Sequence, residues 1–384
     1  MDKKEYYVTL TGGKNNAGDF LIKYRAFNLF KELKKDRDII DFNEWEEIND
    51  ERLKIINNSK ALILLGGPGV LPSMYPTIYK LRDDLDDIKV PIIMMGLGWK
   101  DPQGDWKNTY NIKFDEKTVL LLDRIKKDGF LSSVRDYHTL NTLQVNGYKN
   151  ILMTGCPAYY DVNHIDKEMK IKDIEKVAFS LGVSFIDSIS MERQMREAIL
   201  KLKDLYENKE FEVVFHHSLD IKKIKKVYGN QHLKHVERHL EFVNWLKENS
   251  IKYIDISGSA DNLISYYSDV DLHIGYRVHA HIFMNSISKF SILLNEDGRG
   301  KGVKGVIGGI VIDAYDNFKV DFISKVLNRL LNNFDRFVAN DYLIEELLNN
   351  IVYEKQIDFN RMKISRNTID KNFEVMKKFI KQLP

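Results

Sequence analysis

The sequence contains one cysteine and no long apolar segment, and each shortage excludes a class of protein. Because Cys156 is the only cysteine among 384 residues, no disulfide can form within the chain and a cysteine-based structural zinc site is excluded. No apolar run approaches the ~20 residues of a membrane span, and the first residues lack the apolar core of a signal peptide. We therefore expect a cytoplasmic protein, which is compatible with a peripheral contact at the inner face of the membrane.

Neither sign of charge dominates the sequence. The 58 lysines and arginines nearly balance the 56 aspartates and glutamates, for a formal charge of +2. A general nucleic-acid binder is usually far more basic, so we expect no nucleic-acid partner. Any anion site must then be built locally, from a few placed cations and backbone amides.

The hydrophobic residues follow the pattern of parallel β/α units. A short apolar run, a glycine or polar turn, and an amphipathic stretch recur along the chain, which favours an α/β fold. Hydrophobic residues form 43% of a chain long enough for two cores. We predict two Rossmann-like, doubly wound domains in the glycosyltransferase-B arrangement, with a cleft between them. Strands are predicted at residues 6–10, 61–65, 91–95, 131–134 and 151–154, and again at 177–181, 211–215, 253–256, 272–274 and 290–294.

A polar bridge near residues 163–172 separates these two series of strands. After the second series, residues 321–331 carry apolar side chains at i, i+4 and i+8, which predicts a helix. Residues 373–380 are amphipathic too, and we expect the last helices to return to the first domain. The predicted units are a first domain at 1–165, a second, donor-binding domain at 166–344, and returning helices at 345–384.

The first candidate site is the loop that follows the first predicted strand. In open parallel sheets, ligands bind beyond the carboxyl ends of the strands, where helix N-termini favour anions. The loop Gly12-Gly13-Lys14-Asn15-Asn16-Ala17-Gly18-Asp19 lies at such an end. Asp19 could equally be a plain helix cap. The loop does not have the GxxxxGK[ST] spacing of a P-loop.

A second loop, Gly66-Gly67-Pro68-Gly69, follows the most apolar strand directly. Its small and rigid residues indicate either close approach of the backbone to a ligand or a tight strand-to-helix turn. The spacing differs from the dinucleotide-binding G-x-G-x-x-G pattern, so nicotinamide cofactors gain little support.

The third segment, Gly275-Tyr276-Arg277-Val278-His279-Ala280-His281, follows another predicted strand. Arg277 offers a two-pronged donor for a carboxylate or phosphate, and His279 can carry a proton near neutral pH. His281 is two residues further on and need not face the same way. A single histidine is often structural, but the neighbouring Arg277 argues against that interpretation for His279.

Two further segments place charged residues at strand ends. In Ser133-Val134-Arg135-Asp136, Asp136 is expected to cap the next helix, and Arg135 is either an anion ligand or part of a surface ion pair. The segment Asn295–Gly302, which includes Asp297 and Arg299, is either a mobile polar loop or a ligand-binding lid. The histidines at 232, 235 and 239 lack a known zinc-binding pattern, and no metal site is predicted.

The ordered set of these segments resembles the polysaccharide pyruvyl transferase family from about residue 9 to residue 301. Arg-x-His-Ala after a strand is the most specific part of the resemblance. Gly67-Pro68-Gly69 departs from it, since proline stands where glycine is usual. The resemblance rests on Asn16-Ala17-Gly18-Asp19, Gly66-Gly67-Pro68-Gly69, Ser133-Val134-Arg135-Asp136, Thr154-Gly155-Cys156-Pro157-Ala158, Arg277-Val278-His279-Ala280 and the loop from Asp297.

The resemblance implies phosphoenolpyruvate as co-substrate, with no other cofactor. It also implies a pyruvate ketal on two hydroxyls of a sugar in a cell-surface polysaccharide or its lipid-linked precursor. Arg277 would hold the carboxylate or phosphate, and His279, as imidazolium, would protonate the methylene carbon of the donor. The predicted donor site comprises Arg135, Arg277, Gly66, Gly67, Gly69, Asp297 and Arg299, and the acceptor side or cleft loop comprises Asn16, Gly18, Asp19 and His281.

Two other functions fit the same fold, because fold alone does not fix function. One is a sugar transferase that uses a nucleotide sugar, in which Glu296 or Asp297 would hold the ribose. The other is a non-catalytic scaffold of a polysaccharide assembly complex, which would not need Arg277 and His279 together.

Overall fold

Two parallel β-sheets form the framework of the protein. The computed structural model describes residues 4–169, 173–316 and 338–384, and we call the first two stretches the first half and the second half. The first half contains strands β1 (Glu5–Thr11), β2 (Arg37–Asn43), β3 (Leu62–Leu65), β4 (Ile92–Met95), β5 (Ser132–Val134) and β6 (Ile151–Met153), and helices α1 (Ala17–Leu33), α2 (Asp50–Asn57), α3 (Trp106–Thr109), α4 (Glu116–Asp128) and α5 (Tyr137–Val145).

The second half repeats the alternation of strands and helices. Its strands are β7 (Lys176–Ser180), β8 (Glu210–Phe215), β9 (Lys252–Asp255), β10 (Leu272–Gly275), β11 (Phe290–Asn295), β12 (Ile310–Asp313) and the short β13 (Tyr315–Asp316), which pairs with β14 (Val338–Ala339). Its helices are α6 (Ile189–Leu205), α7 (Ile221–Tyr228), α8 (Leu233–Glu248), α9 (Ala260–Asp269), α10 (Val278–Ser286) and α11 (Gly298–Ile307), and the chain ends with α12 (Leu343–Gln356) and α13 (Asn360–Lys381). Short 3-10 helices lie at Leu85–Asp87, Pro157–Tyr159, Ser184–Ile186 and Gly229–His232.

The strand orders confirm the predicted α/β fold of two Rossmann-like domains. The first sheet has the order β2-β1-β3-β4, and β5 and β6 form a separate parallel pair. The second sheet has the order β12-β11-β10-β7-β8-β9, which is the 3-2-1-4-5-6 order of doubly wound folds read from its other edge. The order reverses between β1 and β3 in the first sheet and between β7 and β10 in the second. Ligands are expected at these two switch points.

The central strands form where the sequence is continuously apolar. All four residues of β3, Leu62–Leu65, are buried, as are those of β4. Burial on both faces is typical of parallel strands that are covered by helices on each side. The strands β2 and β12 were not predicted. Both lie at sheet edges, where charged residues such as those in Arg37–Asn43 are tolerated.

Helix caps show which polar residues near the strand ends are structural. Asp136 accepts a hydrogen bond from the backbone N–H of Thr139 at 2.7 Å, which confirms the predicted cap of α5. Helix α1 is capped by Asn16, whose side-chain oxygen accepts from the N–H of Gly18 at 3.2 Å. The alternative that Asp19 is the cap is therefore wrong, and its carboxyl remains available for other contacts.

The glycine-rich part of the segment Asn295–Gly302 is helical, since Asn295 ends β11 and α11 begins at Gly298, so the segment is neither a mobile loop nor a lid. Asp297 caps α11 by accepting from the N–H of Arg299 at 2.9 Å. Its glycines permit close packing, because a β-carbon at position 298 would lie 2.5 Å from the carbonyl oxygen of Asp101 and one at position 302 would lie 3.2 Å from Asp136. Packing between the two halves thus overrides the poor helix propensity of glycine.

One hydrophobic cluster joins the two sheets and the C-terminal helix. It includes Leu65 from β3, Val214 from β8 and Phe373 from α13. Near the start of α13, the hydroxyl of Ser365 donates a hydrogen bond to Asn285 Oδ1 at 3.0 Å. After its end, the carbonyl of Pro384 accepts from Tyr7 Oη at 2.5 Å. Helix α13 therefore contacts both halves.

The remaining predictions concern the C-terminal helices, the domain boundaries and membrane spans. The amphipathic stretch 373–380 lies inside α13. The helix predicted at 321–331 falls outside the described residues, and the domain boundaries stay predictions. In the described part of the chain, every helix is too short or too polar to span a bilayer.

Candidate active site

A cavity of about 330 Å³ lies where the switch points of the two sheets face each other. The first half contributes residues that end or follow β1, β2, β3 and β5, and the second half contributes residues that follow β7, β8, β10 and β11. Its walls are formed by Thr11, Gly12, Asn16, Asp19, Ile22, Lys23, Glu44, Leu65, Gly67, Pro68, Arg135, Val183, His217, Tyr228, Arg277, His279 and Arg299.

Arg277 lies between the ends of β10 and β7. Its Nε donates to the carbonyl of Leu181 at 2.6 Å, and its backbone N–H donates to Ser180 Oγ at 3.1 Å. The side chain is 8% exposed, and burial lowers the pKa of the guanidinium to about 10, so it stays charged at neutral pH. Because its hydrogen-bond partners are neutral, this buried charge favours an anionic ligand.

His279 occupies the first turn of α10 and packs against the start of α1. A β-carbon on Gly18 would lie only 2.3 Å from its Nδ1, so glycine is required for this approach. Burial, together with the guanidiniums of Arg135 and Arg299, lowers the pKa of His279 to about 3. Its Nε2 is buried and finds no hydrogen-bond partner among the described residues. The site without a ligand therefore holds a neutral imidazole.

The other two guanidiniums are fixed by different means. Arg135 follows β5 and packs over Gly98, where a β-carbon would lie 1.9 Å from its Nε. One of its terminal nitrogens, Nη2, is buried and has no hydrogen-bond partner in the described part of the chain. Arg299, in the first turn of α11, makes a two-pronged contact with Asp297, with its Nη2 at 2.6 Å and its Nε at 2.9 Å from Oδ2.

Helix N-termini add to this positive potential. Both α1 and α10 begin at the cavity, and α10 has no side-chain cap, because the residue before it is Arg277. The uncapped N–H groups and the helix dipole favour negative charge at this position. Three guanidiniums and these amides together form a site for a small, multiply charged anion.

Two carboxyl groups line the cavity on the side of the first half. Burial raises the pKa of Asp19 to about 6, although Arg299, Arg135 and Arg277 each act to lower it. Burial and the carboxylate of Asp19 raise the pKa of Glu44 to about 8. Asp19 therefore lies within electrostatic range of both the arginines and Glu44.

The loop before α1 is tied to the second half. The side-chain oxygen of Asn15 accepts from the N–H of Ser218 at 2.9 Å, and its carbonyl accepts from Gly258 at 2.9 Å. The N–H of Ala17 donates to the carbonyl of His216 at 3.2 Å. These bonds fix the first-half wall of the cavity relative to Arg277 and His279.

Comparison with protein families identifies the chain. The sequence model of the family described as polysaccharide pyruvyl transferase matches residues 16–283, which is more than half of the chain. The protein belongs to the polysaccharide pyruvyl transferase family. The matched residues of this family member include Asn16, Arg135, Arg277 and His279 of the cavity. The comparison with curated proteins finds no match.

Solved structures agree on the fold of this family member. A provisionally named UDP-N-acetylglucosamine 2-epimerase from Listeria monocytogenes is 11% identical, covers 94% of this chain and 91% of its own, and has a TM-score of 0.51. The UDP-GlcNAc 2-epimerase of Methanocaldococcus jannaschii is 15% identical over 91% of this chain and 99% of its own, with a TM-score of 0.46. The likeness to the Listeria protein supports a glycosyltransferase-B-like fold and nothing finer.

The structure brings many of the predicted site residues of this pyruvyl transferase family member into one cavity. Those in its walls are Asn16, Asp19, Gly67, Arg135, Arg277, His279 and Arg299. Gly18 lies behind His279, and Asp297 holds Arg299 from the side. Gly66 and Gly69 flank the wall without forming it, because they pack against Ile22 and Tyr79.

His281 is not placed where the sequence analysis put it, and its assignment to the acceptor side is corrected. Its side chain is fully buried, and its Nδ1 is hydrogen-bonded to Ser291 Oγ at 2.8 Å, with Asn285 close by. Two residues along a helix correspond to a rotation of about 200°. His281 therefore points into the second half while His279 faces the cavity.

The sequence analysis missed several wall residues, and three of them have side chains that could contact a ligand. Glu44 follows β2, an edge strand whose polar sequence concealed it. Tyr228 ends α7, and nothing in the local sequence links it to the site. His217 had a usable signal, because His216-His217 directly follow a predicted strand. Its Nδ1 is 3.1 Å from Nε2 of His235, and the described residues contain no group of three ligands arranged for a metal ion.

Proposed function

We propose that this protein transfers pyruvate from phosphoenolpyruvate onto two hydroxyls of a sugar, for a cell-surface polysaccharide or its lipid-linked precursor. The observation that carries the proposal is one buried imidazole surrounded by three guanidiniums and two helix N-termini. Phosphoenolpyruvate is small and carries a carboxylate next to a phosphate, which matches this arrangement. The setting we propose is the cytoplasm, at the inner membrane face when the acceptor is lipid-linked.

The guanidiniums would hold the donor by its two anionic groups. Arg277, which is fixed by the carbonyl of Leu181, and Arg135, which has an unpartnered nitrogen, can each present a planar pair of donors to a carboxylate or phosphate. Arg299 and the amides of α10 would stabilise the charge that grows on the leaving phosphate.

The reaction balances without an oxidant or reductant. A first sugar hydroxyl adds to C2 of phosphoenolpyruvate while a proton reaches the methylene carbon, which becomes the methyl group. Phosphate then leaves from C2, and a second hydroxyl adds there to close the ketal. The two hydroxyl protons end on the methyl group and on hydrogen phosphate, and the product keeps one carboxylate.

Because His279 is neutral in the empty site, binding of phosphoenolpyruvate itself would have to raise the pKa of the imidazole before His279 can act as an acid. A buried imidazole between guanidiniums does not hold a proton at neutral pH, but a multiply charged anion at the same place raises its pKa. Binding of phosphoenolpyruvate would thus bring a proton onto His279, which then passes it to the methylene carbon. The imidazolium expected from the sequence forms only with the donor bound.

The nucleotide-sugar alternative has less support from the second half. Glu296 is 4% exposed and accepts from the N–H groups of Val183 and Ser184, each at 2.9 Å. Asp297 is engaged with Arg299. Neither carboxylate is offered to a ribose, whereas the guanidiniums face the cavity.

The test is phosphate release from phosphoenolpyruvate in the presence of a panel of glycosides, with mass spectrometry of the products. We expect stoichiometric phosphate release and a sugar product heavier by one pyruvate ketal. Thermal stabilisation by UDP-sugars but not by phosphoenolpyruvate, without phosphate release, would contradict the proposal.

A further inference from the structure

The cavity has two ends of different character. We call the part of the wall that contains the three guanidiniums and His279 the inner end. We call the part that contains Glu44 and Tyr228 the outer end, and Asp19 lies within electrostatic range of both. The charged side chains that act on Glu44 are Asp19 and Lys14, and the arginines are not among them. A volume of about 330 Å³ also exceeds what a three-carbon acid occupies.

Glu44 is held in place by its backbone while its side chain is left to face the cavity. Its N–H donates to the carbonyl of Thr11 at 3.1 Å, and its carbonyl accepts from Lys80 at 3.1 Å. The carboxyl lies against Gly12, where a β-carbon would be 2.6 Å from Oε1. Within the described stretches the carboxyl makes no hydrogen bond or ion pair, so a ligand group can take that place.

An ammonium group and a second aromatic ring lie behind Glu44 and Tyr228, next to the wall residues rather than among them. Lys14 Nζ lies 4.4 Å from the ring centroid of Trp45 and 5.9 Å from that of Tyr228. Trp45 belongs to the first half, and Tyr228 ends α7 of the second half. Lys14 therefore links the two halves beside Glu44, where cation–π contacts orient its ammonium group.

We propose that Glu44, with Lys14 and Tyr228, binds the hydroxyls of the acceptor sugar at the outer end of the cavity. This rests on the proposed function, since it names the site of that reaction's second substrate. A sugar offers several hydroxyls that both donate and accept hydrogen bonds. A carboxyl, an ammonium group and a phenol match that chemistry, and a sugar held there lies next to a donor held by the arginines.

The protonation state of Glu44 determines what it offers the sugar. The titratable groups that face it are Asp19, Lys14 and Tyr79, and burial with Asp19 raises its pKa to about 8. At neutral pH the protonated carboxyl can donate one hydrogen bond and accept another. Glutamine keeps both of these capacities at any pH, whereas alanine has neither.

The main experiment compares Glu44→Ala with Glu44→Gln in steady-state kinetics. We expect Glu44→Ala to raise the acceptor KM roughly tenfold or more, with the KM for phosphoenolpyruvate unchanged. Glu44→Gln should keep the acceptor KM of the unmodified protein at neutral pH. In the unmodified protein this KM should rise above pH 8 as Glu44 loses its proton, and in Glu44→Gln it should not. Glu47→Ala, which changes an exposed glutamate three residues away, is the matched control. An unchanged acceptor KM in Glu44→Ala, or a collapse of kcat alone in Glu44→Gln, would overturn the proposal.

A binding experiment separates failure of this proposal from failure of the proposed function. Saturation-transfer NMR with methyl glycosides of galactose, glucose and mannose needs no turnover. Sugar signals that are lost in Glu44→Ala and kept in Glu44→Gln support the subsite even if no phosphate is released. Equal signals in Glu44→Ala and the unmodified protein, or no signal with any glycoside, refute the subsite even if phosphate release occurs.

Discussion

The switch points of the two sheets carry opposite chemistry. In the second sheet, the end of β10 is occupied by Arg277, a buried cation held by neutral carbonyls. In the first sheet, the ends of β1 and β3 are open glycine turns, and the charged wall residues nearby include the carboxyls of Asp19 and Glu44. At the end of β10 the second sheet therefore presents a buried cation whose hydrogen-bond partners are neutral, whereas two carboxyls whose pKa values are raised by burial lie near the strand ends of the first sheet.

Under the proposed function, this difference predicts where each substrate binds. Burial of a cation costs free energy that a bound anion recovers, so we expect the donor beside Arg277 and His279. Carboxyls with raised pKa values are suited to hydroxyl groups, so we expect the acceptor beside Glu44 of the first half. Doubly wound sheets that face each other can thus divide donor and acceptor binding between two switch points.

The largest effect should come from His279. We expect His279→Ala to lower kcat by about 10²–10⁴-fold, the usual contribution of one general acid, with binding of phosphoenolpyruvate mostly kept. His281→Gln is the matched control, because it changes a core hydrogen bond and should cost about 1–3 kcal/mol of stability while kcat is kept. Steady-state kinetics and calorimetry check both, and near-normal turnover in His279→Ala would remove it from the mechanism.

Arg277→Lys tests whether the second half holds the donor. Lysine keeps the charge but loses the planar pair of donors and the bond to the carbonyl of Leu181. We expect the KM for phosphoenolpyruvate to rise roughly 10- to 100-fold, with the acceptor KM little changed. The exposed Arg193→Lys on α6 is the control. A rise confined to the acceptor KM would reverse the assignment of substrates to the halves.

Gly18→Ala tests the contact between the two helix starts. A β-carbon there would lie 2.3 Å from Nδ1 of His279, so the imidazole must move and kcat should fall roughly tenfold or more. Gly305→Ala in α11 is the control, because its β-carbon would enter open space. That change should stabilise the protein by up to about 1 kcal/mol at constant kcat. Equal kinetics in the two variants would show that His279 does not depend on Gly18.

The last prediction concerns the pH dependence of stability, and catalysis is not its readout. The folded-state pKa of Glu44 lies above its ordinary value, so between about pH 4.5 and pH 8 the unfolded chain releases this proton first. Ionisation therefore destabilises the folded state as pH rises. Glu44→Gln should melt like the unmodified protein at about pH 3.5 and at a higher temperature at pH 9. A melting difference that is constant across this range would contradict the raised pKa.

The features that could be predicted from sequence are those set by local pattern. Apolar runs fixed the positions of β3 and β4, the spacing after Val134 identified Asp136 as a cap, and the residues after β10 pointed to Arg277 and His279. Each depends on side chains within a few positions of one another in the chain, so one sequence is enough to find it.

The features that were missed depend on contacts between distant residues. The helix α11 contains four glycines and is stabilised by packing on Asp101 and Asp136 of the other half. Glu44 joins the cavity only because β2 pairs with β1 at the sheet edge. His281 was misplaced because only the core around Ser291 shows which face of α10 is buried.

The contacts of α13 have a consequence for how the protein unfolds. Helix α13 is hydrogen-bonded to Asn285 of the second half near its start, and Pro384, just after its end, is hydrogen-bonded to Tyr7 of the first half. If α13 detached from either half, the hydrophobic cluster that joins the two sheets would be exposed to water. Heat should therefore melt both sheets in a single transition. In differential scanning calorimetry this would give one peak whose calorimetric and van't Hoff enthalpies agree.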